Sequence, residues 1–250
     1  MNQILHTVAH RPWPLPARPW VIRFTWHDLL FAHWPVEPAA IRDMVPRPLE
    51  LDLLDGCAWI GAVPFRMTGV RLRCLPAIPG TASFPEVNVR TYVRAGGRPG
   101  VYFFSLDAAN WLACRMARAW YRLPYFHARM SMDLQNDVLL YRSSRREGLR
   151  PAEFRARYRP VSAPRRAPPG SLEHWLTERY CLFTTGSSGR ILMGEIHHVP
   201  WPLQDAEAEI ETNTLAQAAG ILLPDTVPLL HFAKRLEVVV WPPHSLPDSA

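Results

Sequence analysis

Lysine is almost missing from this chain: Lys234 is the only one among 28 basic residues in a length of 250. Chemistry that needs an unprotonated side-chain amine therefore has a single candidate, because arginine stays protonated to a pKa above about 12. Cysteine is nearly as scarce. Cys57, Cys74, Cys114 and Cys181 form no CxxC pair, so neither a zinc knuckle nor a redox dithiol is indicated, and reduced, buried thiols are the expectation. No HExxH motif occurs, and the adjacent His197 and His198 would point to opposite sides of a strand. Neither a metal site nor a cofactor is expected.

Other absences bound the setting. No uncharged apolar run approaches the roughly 18 residues that a membrane span requires. The opening residues, with His6, His10 and Arg11 among prolines, lack the basic end, apolar centre and small-residue cleavage site of a secretory signal. A cytoplasmic protein with no membrane partner is expected. The formal net charge is +6, but the arginines are scattered from Arg11 to Arg235, with no long basic tract and no aromatic stacking motif. That distribution argues against a nucleic-acid partner.

What is present is an ordinary globular composition, 48 % hydrophobic and 20 % charged, in a chain long enough to bury a substantial core. One domain over residues 1–250 is expected, with residues 1–20 as an extended proline-rich arm. Residues 25–34 fit a strand end or a short helix. A short helix is predicted over 38–44, a buried strand over 57–65, and a loop over 75–82. Asp107 is placed to cap a helix through 108–121, which Pro124 ends. Strands are expected on both sides of Asn136-Asp137, over 153–159, at 180–185 and 190–199, and at 236–241. Ser171 should cap a helix running towards Arg179, and Ala206–Gly220 reads as another helix. Strands mixed with a few helices and hairpin turns give a mostly antiparallel α+β fold.

The most informative stretch is residues 83–93. A period of two puts Glu86, Asn88, Arg90 and Tyr92 on one face and Val87, Val89, Thr91 and Val93 on the other. The β-branched face suits a core. An acid, an amide, a base and a phenol in a row suit either a solvated sheet face or the wall of a site. The reversal at 95–100 should return residues 101–106 antiparallel to this strand. In a symmetric register, Asn88 lies opposite Asp107 and Arg90 opposite Ser105, making Asp107 the expected partner of Arg90. One of His197 and His198 facing a pocket would provide a group that titrates near neutrality.

Several phrases in order along the chain carry a resemblance: Leu30–Val36, Phe84–Tyr92, Phe104–Asp107, Leu123–Tyr125, Thr177–Tyr180 and His198–Gln204. The chain resembles the YqjF-like family of bacterial proteins, which is similar in turn to acetoacetate decarboxylase. The resemblance implies a strongly bent antiparallel sheet forming a cone or partly closed barrel around an apolar cavity, with a few outer helices. In acetoacetate decarboxylase a lysine after a proline forms a Schiff base and a glutamate assists. Carried over, Pro124 matches the proline, Tyr125 takes the place of the lysine and Phe126 that of the lysine beside it, and Glu86 matches the glutamate. Tyrosine has no amine, so Schiff-base decarboxylation does not transfer.

The resulting expectation is a small-molecule-binding protein that acts by acid-base chemistry on a carbonyl, hydroxyl or carboxylate compound. Glu86 and Tyr125 are its expected catalytic pair. Asn88, Arg90, Tyr92, Asp107 and His198 are its expected binding residues. A ligand sensor using the same cavity, and a structural protein with no small-molecule site, are the alternatives. Beyond the ligand, a second copy of the chain is the partner this reading allows.

Overall fold

The computed structural model describes residues 3–77, 80–148, 150–187 and 189–246. Thirteen strands lie among them: β1 (Ile22–Val36), β2 (Glu50–Leu51), β3 (Ala58–Leu72), β4 (Ser83–Ala95), β5 (Arg98–Ala108), β6 (Tyr125–Gln135) and β7 (Val138–Arg145). They continue as β8 (Glu153–Pro160), β9 (Cys181–Thr185), β10 (Ile191–His197), β11 (Leu203–Asn213), β12 (Leu229–Val240) and β13 (His244–Ser245). The helices are short, namely α1 (Gln3–His6), α2 (Pro38–Ile41), α3 (Trp111–Tyr121), α4 (Leu172–Thr177) and α5 (Leu215–Ala218). None is long and apolar enough to cross a membrane.

All these strands join one curved sheet, and its pairings close on themselves. The circuit β4–β5–β9–β10–β12–β1–β3 returns to β4. The strands β6, β7, β8 and β11 form a second path from β5 to β12. Because β5 runs parallel to β6 and β9, the sheet is mixed. The long strands β1, β3, β4, β5 and β12 therefore belong to both loops. The loop through β6–β8 encloses a packed core that includes Leu30, Tyr141, Phe154, Tyr158 and Phe232, each below 5 % exposed. Its strands show the alternation this requires: Phe154, Ala156 and Tyr158 are buried while Arg155, Arg157 and Arg159 are exposed.

Several local expectations meet the structure directly. Residues 25–34 are strand, within β1. The short helix predicted at 38–44 is α2 followed by a single 3-10 turn at Arg42–Met44. Asn136 and Asp137 both take positive φ, 48° and 64°, in the two-residue turn between β6 and β7. Ser171 caps α4 by accepting from the His174 backbone N–H. Within the 75–82 loop, residues 78 and 79 lie outside the described residues, as do residues 1 and 2 of the arm and residue 188 of the turn after β9.

Three expectations need correction. Residues 206–220 are not one helix: 203–213 form β11, and only Leu215–Ala218 is helical. Alanine and glutamate favour helices, but Ala206, Ala208 and Ile210 pack against the core while Glu207 and Glu209 reach Arg159 and Arg157 on β8. That alternation has the period of a strand. The helix after β5 begins at Trp111, and its cap is Asn110, which accepts from the Ala113 N–H, rather than Asp107. The amino-terminal arm is not wholly extended, since Gln3–His6 makes a helical turn.

Candidate functional site

The circuit containing β9 and β10 is not filled. It surrounds a cavity of about 190 Å³, roofed by α3. The helix presents Ala113, Met116, Ala117 and Trp120 to it, and the strands supply mainly apolar side chains such as Phe24, Phe65, Val70 and Phe103. Polar side chains in the lining include Glu86, Asn88 and Arg90 on β4, Tyr125 at the start of β6, and Thr177, Arg179 and His198, together with Trp26 and Trp201, whose buried indole nitrogens have no partner.

The β4–β5 hairpin explains how three polar residues of one strand all face inward. Gly96 and Gly97, with φ of 57° and 73°, make a two-residue turn that pairs Ala95 with Arg98. A bulge between Val89 and Arg90 then shifts the register by one residue. Glu86 faces Ala108, Asn88 faces Leu106 and Arg90 faces Phe103, all on the cavity side. Asp107 consequently sits opposite Val87, behind the sheet. The expected register, with Asn88 opposite Asp107 and Arg90 opposite Ser105, is corrected: the turn is tighter and the bulge adds one residue. Asp107 does not reach Arg90. It is fully buried and accepts two hydrogen bonds from Arg145, at 2.9 and 2.7 Å. Tyr92 also does not line the cavity. It stands behind Arg90, its hydroxyl 3.5 Å from Arg90 Nη2 and 2.6 Å from His33 Nε2.

Glu86 and Tyr125 meet in the wall. The Tyr125 hydroxyl donates to Glu86 Oε2 at 3.1 Å, and Glu86 is 2 % exposed. Burial pushes the Glu86 carboxyl up to about 8, opposed by the hydrogen bond from Tyr125 and assisted by Asp107 behind it. Burial and the neighbouring Glu86 carboxyl hold the Tyr125 phenol well above its ordinary value. Near neutral pH both groups carry their protons, so Glu86 is a carboxylic acid able to donate as well as accept.

Arg90 joins no ion pair among the described residues. Its guanidinium lies over the rings of Phe31 and Tyr92, at 5.3 and 5.8 Å from their centroids, and its Nε is buried without a partner. A guanidinium held by aromatic faces and one phenol retains most of its capacity for an anion. Tyr92 can donate its hydroxyl proton to His33 Nε2 while accepting from Arg90, because arginine only donates. Burial first, then Arg90, lowers the pKa of His33 and keeps it neutral. Asn88 is 5 % exposed and its Oδ1 has no partner.

Arg179 follows α4 and is 6 % exposed. Its Nη1 donates to Asp52 at 2.5 Å, while its Nη2 is buried and unpartnered. The helix expected to run from Ser171 towards Arg179 ends at Thr177. Nothing in the local pattern indicates that the chain leaves α4 straight into the cavity wall. His198 faces the cavity, between the carbonyls of Val199 and Arg179 at 2.8 and 3.4 Å, and burial lowers its pKa. His197 turns the other way, to the Ile4 carbonyl and Arg11. No group of three or more His, Cys, Asp or Glu among the described residues is arranged to hold a metal ion. Lys234 does not line the cavity: on β12 it is 65 % exposed and donates to Asp28 at 2.5 Å.

A bent ring of strands around an apolar cavity is the acetoacetate decarboxylase-like fold. The acetoacetate decarboxylase of Legionella pneumophila superposes with a TM-score of 0.60 over 98 % of this chain and 95 % of that one, at 15 % identity. The enduracididine biosynthesis enzyme MppR, solved with pyruvate, gives 0.63 at 12 % identity, covering 96 % and 95 % of the two chains. An acetoacetate decarboxylase-like enzyme of Sphingomonas wittichii RW1 gives 0.61 at 13 % identity over 96 % and 98 %. The chain itself belongs to the DUF2071 family, described as an uncharacterized conserved protein, which it matches over residues 23–237. It is 50 % identical over 228 residues to the uncharacterized protein YqjF of Bacillus subtilis, covering 91 % of this chain and 93 % of that one.

Proposed function

We propose that this protein binds a small carbonyl compound bearing a carboxylate and moves a proton on the carbon beside its carbonyl group, without forming a Schiff base. The observation that carries the reading is the buried Glu86–Tyr125 pair in the wall of a largely apolar cavity, with an unpaired arginine on the same strand. Arg90 holds the carboxylate as a charge-assisted pair. The ionised form of Glu86 takes a proton from carbon and the protonated form returns it, a role suited to a group that titrates at about 8. Tyr125 turns its one hydroxyl proton from Glu86 to the substrate oxygen on which negative charge develops. Tyrosine at position 125 and the outward position of Lys234 support a reaction that needs no amine. Fold neighbours that include enzymes support a small-molecule site.

The test is proton exchange. The protein is incubated in D₂O with 2-oxo and 3-oxo acids of three to nine carbons, and the hydrogens beside the carbonyl are followed by proton NMR. At least one acid should exchange faster than in buffer, with a rate that climbs with pH to a midpoint near 8. Glu86→Gln should reduce that rate by at least about 100-fold, the usual worth of a general base. No enhancement with any acid, or equal enhancement by Glu86→Gln, contradicts the reading.

A further inference from the structure

The cavity wall is divided along the strands, and the division describes a ligand. Glu86, Asn88 and Arg90 stand along the middle of β4, next to Tyr125. Past Phe84, β4 ends, but β3 and β1 continue. Phe84 pairs with Met67, whereas β3 runs on to Leu72, which pairs with Ile22. The cavity lining follows them through Phe24, Val70 and Leu72, all apolar and only partly buried. α3 is tied at its start to the Gly80 carbonyl before β4, through Asn110 at 2.6 Å, and at its end to the Trp241 carbonyl after β12, through Tyr121 at 3.1 Å, and it lines the cavity with Met116, Ala117 and Trp120. Phe65, opposite Glu86, and Val70 are five residues apart, about 16 Å of strand. The lining therefore extends much further than a compact head group, and everything beyond Phe84 offers a ligand no charge.

We infer that the natural ligand is an amphipathic monocarboxylic acid, held by its carboxylate at Arg90 with an unbranched or flat apolar tail lying under α3. This rests on the site proposed above and names the class of molecule it accepts. The charge balance supports one anion. Arg179 is already paired with Asp52, itself shared with Arg94, and Glu86 keeps its proton at neutral pH. Arg90 is thus the one cavity cation among the described residues without a carboxylate partner. A second carboxylate on the ligand would enter the apolar half unpaired, which is costly. Size supports a tail: an apolar cavity of about 150 Å³ holds benzene, so about 190 Å³ holds a tail of that bulk and a carboxylate together. A two- or three-carbon acid would leave the α3 end empty.

The experiment is titration calorimetry with the sodium salts of straight-chain monocarboxylates from acetate to dodecanoate, and with the matching 1-alkanols. Acetate should give no measurable binding. Affinity should rise about four-fold per methylene, the value for burying that group, and level off at roughly eight carbons as the cavity fills. Each alkanol should bind at least ten-fold more weakly than its acid, and Arg90→Gln should erase that difference while keeping the chain-length slope. Ala117→Phe, on the roof and away from Arg90, should move the plateau to shorter chains. Acetate binding as tightly as octanoate, octanol matching octanoate, or no acid binding at all overturns the inference. A flat series with proton exchange intact removes this ligand class alone. An intact slope with no exchange removes the reaction and leaves the ligand class.

Discussion

Glu86 and Asp107 are carboxyl groups on neighbouring strands, facing opposite sides of one sheet and meeting different fates. The folded-state pKa of Glu86, about 8, exceeds the ordinary 4.5, so the native state binds its proton more tightly than the unfolded chain does. The sign follows: Glu86 makes stability fall as pH rises from about 4.5 to about 8, by at most about 1.4 kcal/mol per pH unit for one proton. Glu86→Gln should flatten that decline, so the variant becomes the more stable protein above pH 8, as measured by urea unfolding across pH. A variant that tracks the wild type at every pH would show that this carboxyl is hydrated. Burial raises the pKa of Asp107 as well, but there the hydrogen bonds and charge of Arg145, itself 5 % exposed, oppose the shift. Asp107→Asn should cost about 3–5 kcal/mol by stranding the guanidinium, whereas replacing both partners with leucine and methionine should recover most of that loss.

Among the elements, β11 and α3 show where residue patterns mislead and where they inform. The alternation in β8 was legible because arginine and aromatic residues alternate strictly. The same period in β11 was hidden by alanine and glutamate, residues with high helix propensity, and only the facing arginines of β8 decide between the two. Glu209→Arg places like charges opposite Arg157 and should cost about 0.2–1 kcal/mol, an effect that shrinks in high salt. A helix at this position would show no such dependence on Arg157. The grouping of Glu86, Asn88 and Arg90 on one face of β4 was legible from its period, but neither the inward direction of that face nor the register with β5 was, because alternation alone shows neither a second buried face nor a bulge. That bulge separates Asp107 from Arg90. α3 was legible as a helix but not as a roof. Asn110→Ala removes its cap and should cost about 0.5–2 kcal/mol, with faster hydrogen exchange confined to the α3 amides.

At the scale of the molecule, the same long strands wall a packed compartment and a hollow one. Phe154, fully buried in the packed compartment, should cost about 3–5 kcal/mol when truncated to alanine. Phe24, which borders the existing cavity, should cost clearly less, because its removal enlarges a space already present. Equal losses would mean that the second compartment is also filled. The phrases that carry the family resemblance identified the fold and singled out Glu86 and Tyr125 as candidates for one cavity. They did not reveal Arg179, whose approach to the wall depends on where α4 stops, or the placement of His33 and Tyr92 behind Arg90. These positions depend on closure of the ring, which no local pattern encodes. The central claim is that Glu86 remains a protonated acid in the cavity at neutral pH. Carbon-13 NMR of the glutamate side-chain carboxyls, with the Glu86 signal assigned by its loss in Glu86→Gln, measures this directly. A midpoint near pH 8 is predicted, and a midpoint near the ordinary 4.5 would contradict it.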